Sequence, residues 1–264
     1  MGISVSPSAE AERLGYDERQ INRIVIRMAR YFLDRDMRVI FGHDWREDGV
    51  MRAVADFAGV VAGRAEALAG SDADFSGSTA STDVPAARMV NVVAAARDAL
   101  SGAALEAERD SGGVLSVLAA GEVATAIWEH WGSEMKAQGW VARRGRSAEL
   151  TRLRHCLTIM LSPGCRVCLG GRTEGYQGNE PGVMEEARLA LTYRKPLYLM
   201  GGFGGATRLF GADPGHGGEP YWKANNGLSR KEKRELFETT DVEWALGLIS
   251  HGIESQEQRT RDLS

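Results

Sequence analysis

Short apolar runs alternate along the chain with longer stretches in which apolar residues recur every three or four positions. The clearest amphipathic stretch predicts a helix over 17–33, with Asp17 as its N-cap and arginines on the polar face. Most of the short runs end at glycine or proline, which is typical of strands. Strands are predicted near residues 3–6, 38–41, 88–93, 165–169 and 196–200.

Helical stretches between most of these strands predict an α/β fold. The expected architecture is a Rossmann-like, doubly wound and mostly parallel sheet with a C-terminal helical extension. We expect residues 1–210 to form the main domain, and residues 211–264 to form a loop and helices packed on the same domain. Ser229 and either Thr240 or Asp241 are the predicted N-caps of that extension. The other predicted helices cover about 49–68, part of 97–117, 114–138 and 147–161.

The overall composition argues against several classes of protein. A net charge of −4 and a pI near 5.8 do not suit a surface that neutralises many phosphates, so we expect no nucleic-acid partner. No apolar segment has the length and freedom from charge of a membrane span, and the first residues lack a signal-peptide pattern. We therefore expect a cytoplasmic protein, in which the small polar residues of 71–83 form a mobile loop.

Three cysteines, Cys156, Cys165 and Cys168, lie within one apolar region of the sequence. Their odd number favours reduced thiols over a disulfide framework. The C-x-x-C spacing of the last two is a weak metal signal, because residues three apart on a strand face opposite sides of the sheet. We expect buried thiols, and neither a metal site nor a cofactor.

The residues that can carry chemistry are concentrated between 154 and 206. Two predicted strands there each end in a Gly-Gly pair and flank a helix, which leaves the backbone open to a ligand at neighbouring strand ends. Serines in the first strand can hold a phosphate or cap the next helix, and the histidine after the second strand suits either a ligand contact or a structural role. The candidate ligand-binding residues are Ser4, Ser6, Gly42, His43, Gly170, Gly171, Gly182, Gly201, Gly202, Gly204 and Gly205.

The helix between the two glycine pairs begins near Pro181 and carries Glu185 and Glu186 in its first turns. Backbone N–H groups at such a helix start, together with the helix dipole, can hold a phosphate. Acidic residues at this place also stabilise a helix without any ligand. Taken alone, the two glutamates therefore fit helix capping as well as catalysis.

This stretch resembles the SLOG superfamily, which includes the LONELY GUY phosphoribohydrolases, the lysine-decarboxylase-like proteins and nucleotide-sensing modules of bacterial defence systems. Its enzymes carry an arginine on a helix, then Pro-Gly-Gly-x-Gly-Thr after a strand, and a glutamate shortly afterwards. Arg154 precedes Gly170-Gly171 at a separation similar to that in the enzymes, and Gly182 to Glu186 resemble the end of the motif. The longer pattern around Tyr176 is similar to a SLOG branch found with immune effectors.

The motif departs from that of the enzymes at three places. Leu169 stands in place of proline and Val183 in place of threonine, and the insertion RTEGYQGNEP separates the two halves of the motif. The loss of the threonine removes one hydroxyl near the expected phosphate, and the insertion can reshape the pocket. The resemblance covers roughly residues 3–60 and 148–206.

The resemblance implies a nucleotide or nucleotide-derived ligand and leaves two functions open. In the first, the protein is an N-glycosidase: Glu186, with Glu185 behind it, binds ribose and stabilises positive charge on the anomeric carbon, and Arg154 holds the phosphate or the departing base. In the second, the same pocket senses a nucleotide second messenger derived from NAD or ADP-ribose, without chemistry. Relatives of this fold commonly form dimers, so the resemblance also implies a homodimer or larger homo-oligomer, with an effector protein as a further partner.

Overall fold

The computed structural model describes residues 1–42, 45, 49–69, 87–94, 100–121, 123, 146–161, 164–215 and 217–262. Within these ranges six strands form one sheet: β1 (Gly2–Ser6), β2 (Val39–Phe41), β3 (Met89–Val93), β4 (Leu115–Ala119), β5 (Arg166–Gly170) and β6 (Leu197–Met200). The helices are α1 (Ala9–Arg13), α2 (Glu18–Leu33), α3 (Val50–Ala69), α4 (Gly102–Asp110), α5 (Arg146–Ile159), α6 (Gly182–Thr192), α7 (Gly205–Ala212), α8 (Gly218–Lys223), α9 (Arg230–Glu238) and α10 (Val242–Asp262).

The order of the strands defines a switch point in the middle of the sheet. The strands are arranged β4-β3-β2-β1-β5-β6, and each neighbouring pair is parallel. The chain moves outward from β1 to β4 and then returns to the other side of β1 to form β5. In open α/β sheets, ligands bind in the crevice at the carboxyl ends of strands where the order reverses in this way. The predicted Rossmann-like fold is confirmed, and the sheet is parallel throughout.

Strand β4 corrects the sequence prediction, which placed a helix from Val114 to Gln138. Inward positions of β4 are buried and alternate with half-buried ones, which is the two-residue period of a strand. Glu108 of α4 protects this edge strand, because its Oε1 accepts hydrogen bonds from the N–H of Val117 at 2.8 Å and from the hydroxyl of Ser116 at 3.1 Å. Most of the remaining predicted helix, together with the loop 71–83, lies outside the described residues.

Several helix starts agree with the sequence prediction. Asp17 accepts a hydrogen bond from the N–H of Gln20 at 2.8 Å, and the Gln20 side chain accepts one from the N–H of Asp17, so the two residues form a capping box. Ser229 caps α9 in the same manner, and Asp241 rather than Thr240 caps α10. The extension differs from the prediction in having a further helix, α8, and in the 21-residue length of α10. None of the described helices has the length and apolar character that a membrane span requires.

The sheet is covered by an apolar core on both faces, but the core on one face is interrupted. On the first face one large cluster joins Phe32 of α2 and Ile249 of α10 to strand residues such as Val167. On the second face there are two smaller clusters, one around Leu199 and Phe210 and the other around residues of β2, β3 and α5. The central strands β1 and β5 instead carry buried polar side chains, and the candidate site is built from them.

Candidate functional site

The loops that follow β1 and β5 meet at the switch point. Ser6 pairs with Gly170 at the ends of these strands, and the carbonyl oxygen of Ser6 accepts a hydrogen bond from the N–H of Gly171 at 2.7 Å. Gly170 has a φ of +61°, and a Cβ there would lie 2.7 Å from the carbonyl oxygen of Ser6. Only glycine allows this approach, so the first glycine pair is required by the backbone of the crevice itself.

The loop that follows β6 joins the same place. The N–H of Ala206 donates to the carbonyl oxygen of Gly171 at 2.8 Å, and a Cβ on Gly205 would lie 2.5 Å from that oxygen. A Cβ on Gly171 would in turn meet the side chains of Val183 and Ala206 at about 3 Å. The starts of α6 and α7 therefore flank Gly171, and three loops converge on one small backbone surface.

Glu186 lies beneath this surface and is held by two residues of the central strands. Its Oε2 accepts hydrogen bonds from the hydroxyl of Ser4 and from Nη1 of Arg166, and that Nη1 also donates to Ser4 Oγ at 2.6 Å. The Arg166 side chain is only 1% exposed, and that of Glu186 is 11% exposed. Charged hydrogen bonds of this kind are strong and directional, so the carboxylate has a fixed position.

Arg166 was not identified from the sequence as a functional residue. Its position is nevertheless a signal, because Arg166 is a charged residue within an apolar run that predicts a buried strand. A buried charge almost always needs a partner. Its Nε and Nη2 have no hydrogen-bond partner among the described residues.

Arg154 and Glu185 form a second buried ion pair. Nη1 of Arg154 donates to Oε2 of Glu185, and the two side chains are 10% and 12% exposed. A Cβ on Gly182 would lie 2.6 Å from Nη2 of Arg154, so this glycine gives the guanidinium room at the start of α6. The two adjacent glutamates thus bind different arginines. Arg154 is close to the start of α6 but contacts Glu185 instead of Glu186.

The second glycine turn has a different environment from the first. A Cβ on Gly201 would lie 2.4 Å from the ring of Phe237, and one on Gly202 would lie 2.3 Å from the carbonyl oxygen of Thr239. Packing against α9 and the residue that follows it therefore accounts for these two glycines. The other half of the turn contacts Glu10 of α1, whose Oε2 accepts a hydrogen bond from the N–H of Gly205 at 2.7 Å.

The remaining candidate residues are placed as follows. A Cβ on Gly42 would lie 2.1 Å from Leu157, so helix packing accounts for this glycine too. His43 lies outside the described residues. The hydroxyl of Ser6 accepts a hydrogen bond from the N–H of Arg172 at 3.2 Å and so ties the start of the insertion to β1.

The three cysteines are buried free thiols. Burial raises the pKa of Cys165 to about 11 and the pKa of both Cys156 and Cys168 to about 12. Cys165 and Cys168 belong to different apolar clusters, in agreement with the prediction that they face opposite sides of the sheet.

Two cavities formed by described residues lie away from the switch point. One, of about 350 Å³, is lined by residues of α7, α8 and α9, including Trp222 and Lys223. The other, of about 530 Å³, lies along the arginine face of α2. Two of these arginines, Arg27 and Arg30, form exposed ion pairs, which agrees with the predicted polar face of this helix.

Comparison with known proteins identifies the family of the chain. A family model described as SLOG cluster2 matches residues 1–238. No curated protein and no solved structure matches the chain significantly. The match includes all six strands of the sheet and every described residue of the candidate site.

Proposed function

The chain belongs to the SLOG cluster2 family, and we propose that it binds a nucleotide or nucleotide-derived ligand at the switch point and hydrolyses its N-glycosidic bond. Membership of the family indicates a nucleotide-related ligand. The convergence of three loops on Gly171, at the carboxyl ends of β1 and β5, supports the location. The immobilised carboxylate of Glu186 beneath these loops is the observation that carries the proposed chemistry.

The start of α6 is the proposed phosphate site. Its N-cap is Pro181, whose side chain cannot accept hydrogen bonds from the N–H groups of the first helical turn of α6. The N–H groups of that turn can therefore bind an anion, and the helix dipole favours negative charge there. Arg154, which pairs with Glu185, lies against Gly182 at this helix start and is the proposed side-chain contact of the phosphate.

Glu186 supplies the proposed chemistry at the sugar. Both hydrogen bonds that it accepts from described residues are made to Oε2, and Oε1 is the oxygen that we assign to the ribose. As the bond between the anomeric carbon and the base nitrogen breaks, its electron pair leaves with the base and positive charge develops on the sugar. The carboxylate stabilises that charge, a water oxygen bonds to the anomeric carbon, and the water gives up a proton to the base or to solvent.

Incubation of the protein with nucleoside monophosphates, NAD and ADP-ribose tests this function. Chromatography should detect free base, and the rate should fall by at least about a hundredfold in Glu186→Gln, since the charge is lost while the side-chain shape is kept. Glu12→Gln, an exposed substitution on α1, is the matched control and should leave the rate unchanged. An equal rate in Glu186→Gln and the wild type would refute the role of Glu186.

A nucleotide sensor is the second candidate function. Both carboxylates are already paired with arginines, and Val183, which packs near Gly171, provides no hydroxyl for a phosphate. These features favour binding without turnover, for example of a second messenger derived from NAD or ADP-ribose in a bacterial defence or signalling system. A thermal shift with one of the compounds, without any product, would support the sensor and exclude the hydrolase.

The proposal also covers the cellular setting. We place the protein in the cytoplasm, as a homodimer or larger homo-oligomer with an effector protein as partner. The three buried thiols agree with a reducing compartment. Light scattering, with and without ADP-ribose, tests whether the protein assembles and whether the ligand changes the assembly.

A further inference from the structure

Two helix starts flank Gly171, and they differ in how their N–H groups are used. The start of α6 has no side-chain cap. At the start of α7 the N–H of Gly205 already donates to the carboxylate of Glu10 at 2.7 Å. The carboxylate of Glu10 therefore already lies where an anion would bind at the start of α7.

The contact between Glu10 and the second turn is closely fitted. Gly204 has a φ of +71°, and a Cβ there would lie 2.9 Å from both Cγ and Cδ of Glu10. The absence of a side chain at Gly204 is what allows the carboxylate to reach the N–H of Gly205. The backbone at Gly204 thus leaves room for the Glu10 side chain, and the backbone at Gly205 donates a hydrogen bond to it.

Helix α1, which carries Glu10, is anchored at both ends. Ser8 caps its start by accepting a hydrogen bond from the N–H of Ala11 at 3.0 Å. Just beyond its end, the ring of Tyr16 packs edge-on against Phe203 of the second turn, with 4.9 Å between ring centroids. The carboxylate is therefore held in place by local structure and does not depend on a chance side-chain conformation.

We infer that Glu10 is a specificity-determining residue of the proposed nucleotide site. It closes the start of α7 to phosphate, because a second anion there would meet both an occupied N–H and a like charge. A carboxylate that has a remaining lone pair can instead accept a hydrogen bond from a ligand hydroxyl or amino group. The phosphate of the ligand then binds at the start of α6, and its hydroxyl or amino groups face Glu10. This inference depends on the proposed nucleotide binding.

Calorimetric titration with AMP and ADP tests the inference, since ADP carries the second phosphate that Glu10 would exclude. In Glu10→Ala the affinity for ADP relative to AMP should rise by at least about tenfold over the wild type, because the N–H of Gly205 is released and the like charge is removed. Glu10→Gln keeps an oxygen that can accept from Gly205 but removes the charge, so its ratio should lie between the two. Glu12→Ala removes the same charge from an exposed position of α1 and should keep the wild-type ratio.

The possible results separate this inference from the function on which it depends. If both nucleotides bind and the ADP to AMP ratio is unchanged in Glu10→Ala and Glu10→Gln, the specificity role of Glu10 is wrong and the nucleotide site stands. If neither nucleotide binds to the wild type or to any variant, both the site and the role of Glu10 are wrong. Should Glu10→Ala fail to fold in a thermal unfolding control, Glu10→Gln alone decides between these outcomes.

Discussion

The glycine turns that follow β5 and β6 look alike in sequence but have different neighbours. At the first turn, Gly170 and Gly171 lie against the backbone and helix starts of the crevice. At the second, Gly201 and Gly202 lie against Phe237 and the carbonyl oxygen of Thr239. A glycine pair after a strand therefore indicates close approach by another group, but not whether that group is a ligand or the protein itself.

The layers beneath the two turns differ as well. Ser4, Arg166 and Glu186 form a buried, charged cluster beneath the first turn. The second turn instead lies against the ring of Phe237, which belongs to an apolar cluster. Charges beneath one turn and close packing beneath the other should respond differently to substitution, and this difference can be measured.

Arg166→Met should cause the largest loss of stability, because it leaves the buried carboxylate of Glu186 without its charged partner. We expect the free energy of unfolding to fall by about 3–5 kcal/mol. The double variant Arg166→Met/Glu186→Leu should recover most of that loss, since a buried ion pair can be replaced by apolar groups at little cost. Denaturant unfolding measures both. A double variant that is less stable than Arg166→Met would contradict a charged cluster beneath the first turn.

Gly202→Ala should affect the second turn by steric overlap. The added Cβ would lie 2.3 Å from the carbonyl oxygen of Thr239, and we expect a loss of about 1–3 kcal/mol in the free energy of unfolding. Gly247→Ala in α10 is the control: apart from the local backbone of α10, no atom of the described residues lies within 4 Å of the added Cβ, so it should stabilise the protein by about 0.5–1 kcal/mol. If Gly202→Ala loses nucleotide affinity without losing stability, Gly202 contacts the ligand and does not serve packing alone.

Much of the fold was predictable because its strands and helices have regular hydrophobic periods. Five of the six described strands and the amphipathic α2 lie close to their predicted positions. Strand β4 was missed because Leu115 to Ala119 follows an alanine-rich, acidic stretch without clear periodicity, and its pairing with β3 is a long-range contact that local pattern does not show.

The candidate site was predictable only in part, because side-chain partners depend on strand order. The motif indicated Arg154, the first glycine pair and Glu186. That Arg154 contacts Glu185, while Arg166 holds Glu186, depends on the placement of β5 beside β1. Glu10 was missed for the same reason, since it lies 195 positions from Gly205 and carries no motif.

The contact between α5 and the C-terminal end of α6 should also respond to pH through His155. Burial lowers its pKa from 6.5 to about 4, and its Nδ1 lies 3.1 Å from the hydroxyl of Tyr193, the C-cap of α6. As the pH falls, the unfolded chain binds the proton first, so the neutral ring gives stability above pH 6.5 that is lost as the pH approaches 4. Allowing for the exposed part of the ring, we expect about 1 kcal/mol between pH 7 and pH 5. His155→Gln should lack that component of the pH dependence, as measured by urea unfolding at both pH values.

The smallest loss of stability is expected at the insertion, residues 172–181. Near its end, Glu180 forms an exposed ion pair with Arg188 of α6. Nε and Nη2 of Arg188 donate to the two oxygens of Glu180 at 3.1 and 2.7 Å, and the Arg188 side chain is 46% exposed. Arg188→Gln should therefore lower the free energy of unfolding by less than about 1 kcal/mol. Lys223→Gln breaks another exposed ion pair, with Glu219 within α8, and provides the control. Because the insertion borders the first turn, Arg188→Gln should weaken nucleotide binding in calorimetry while Lys223→Gln leaves it unchanged. Equal affinities in the two variants would mean that the insertion does not contribute to the ligand site.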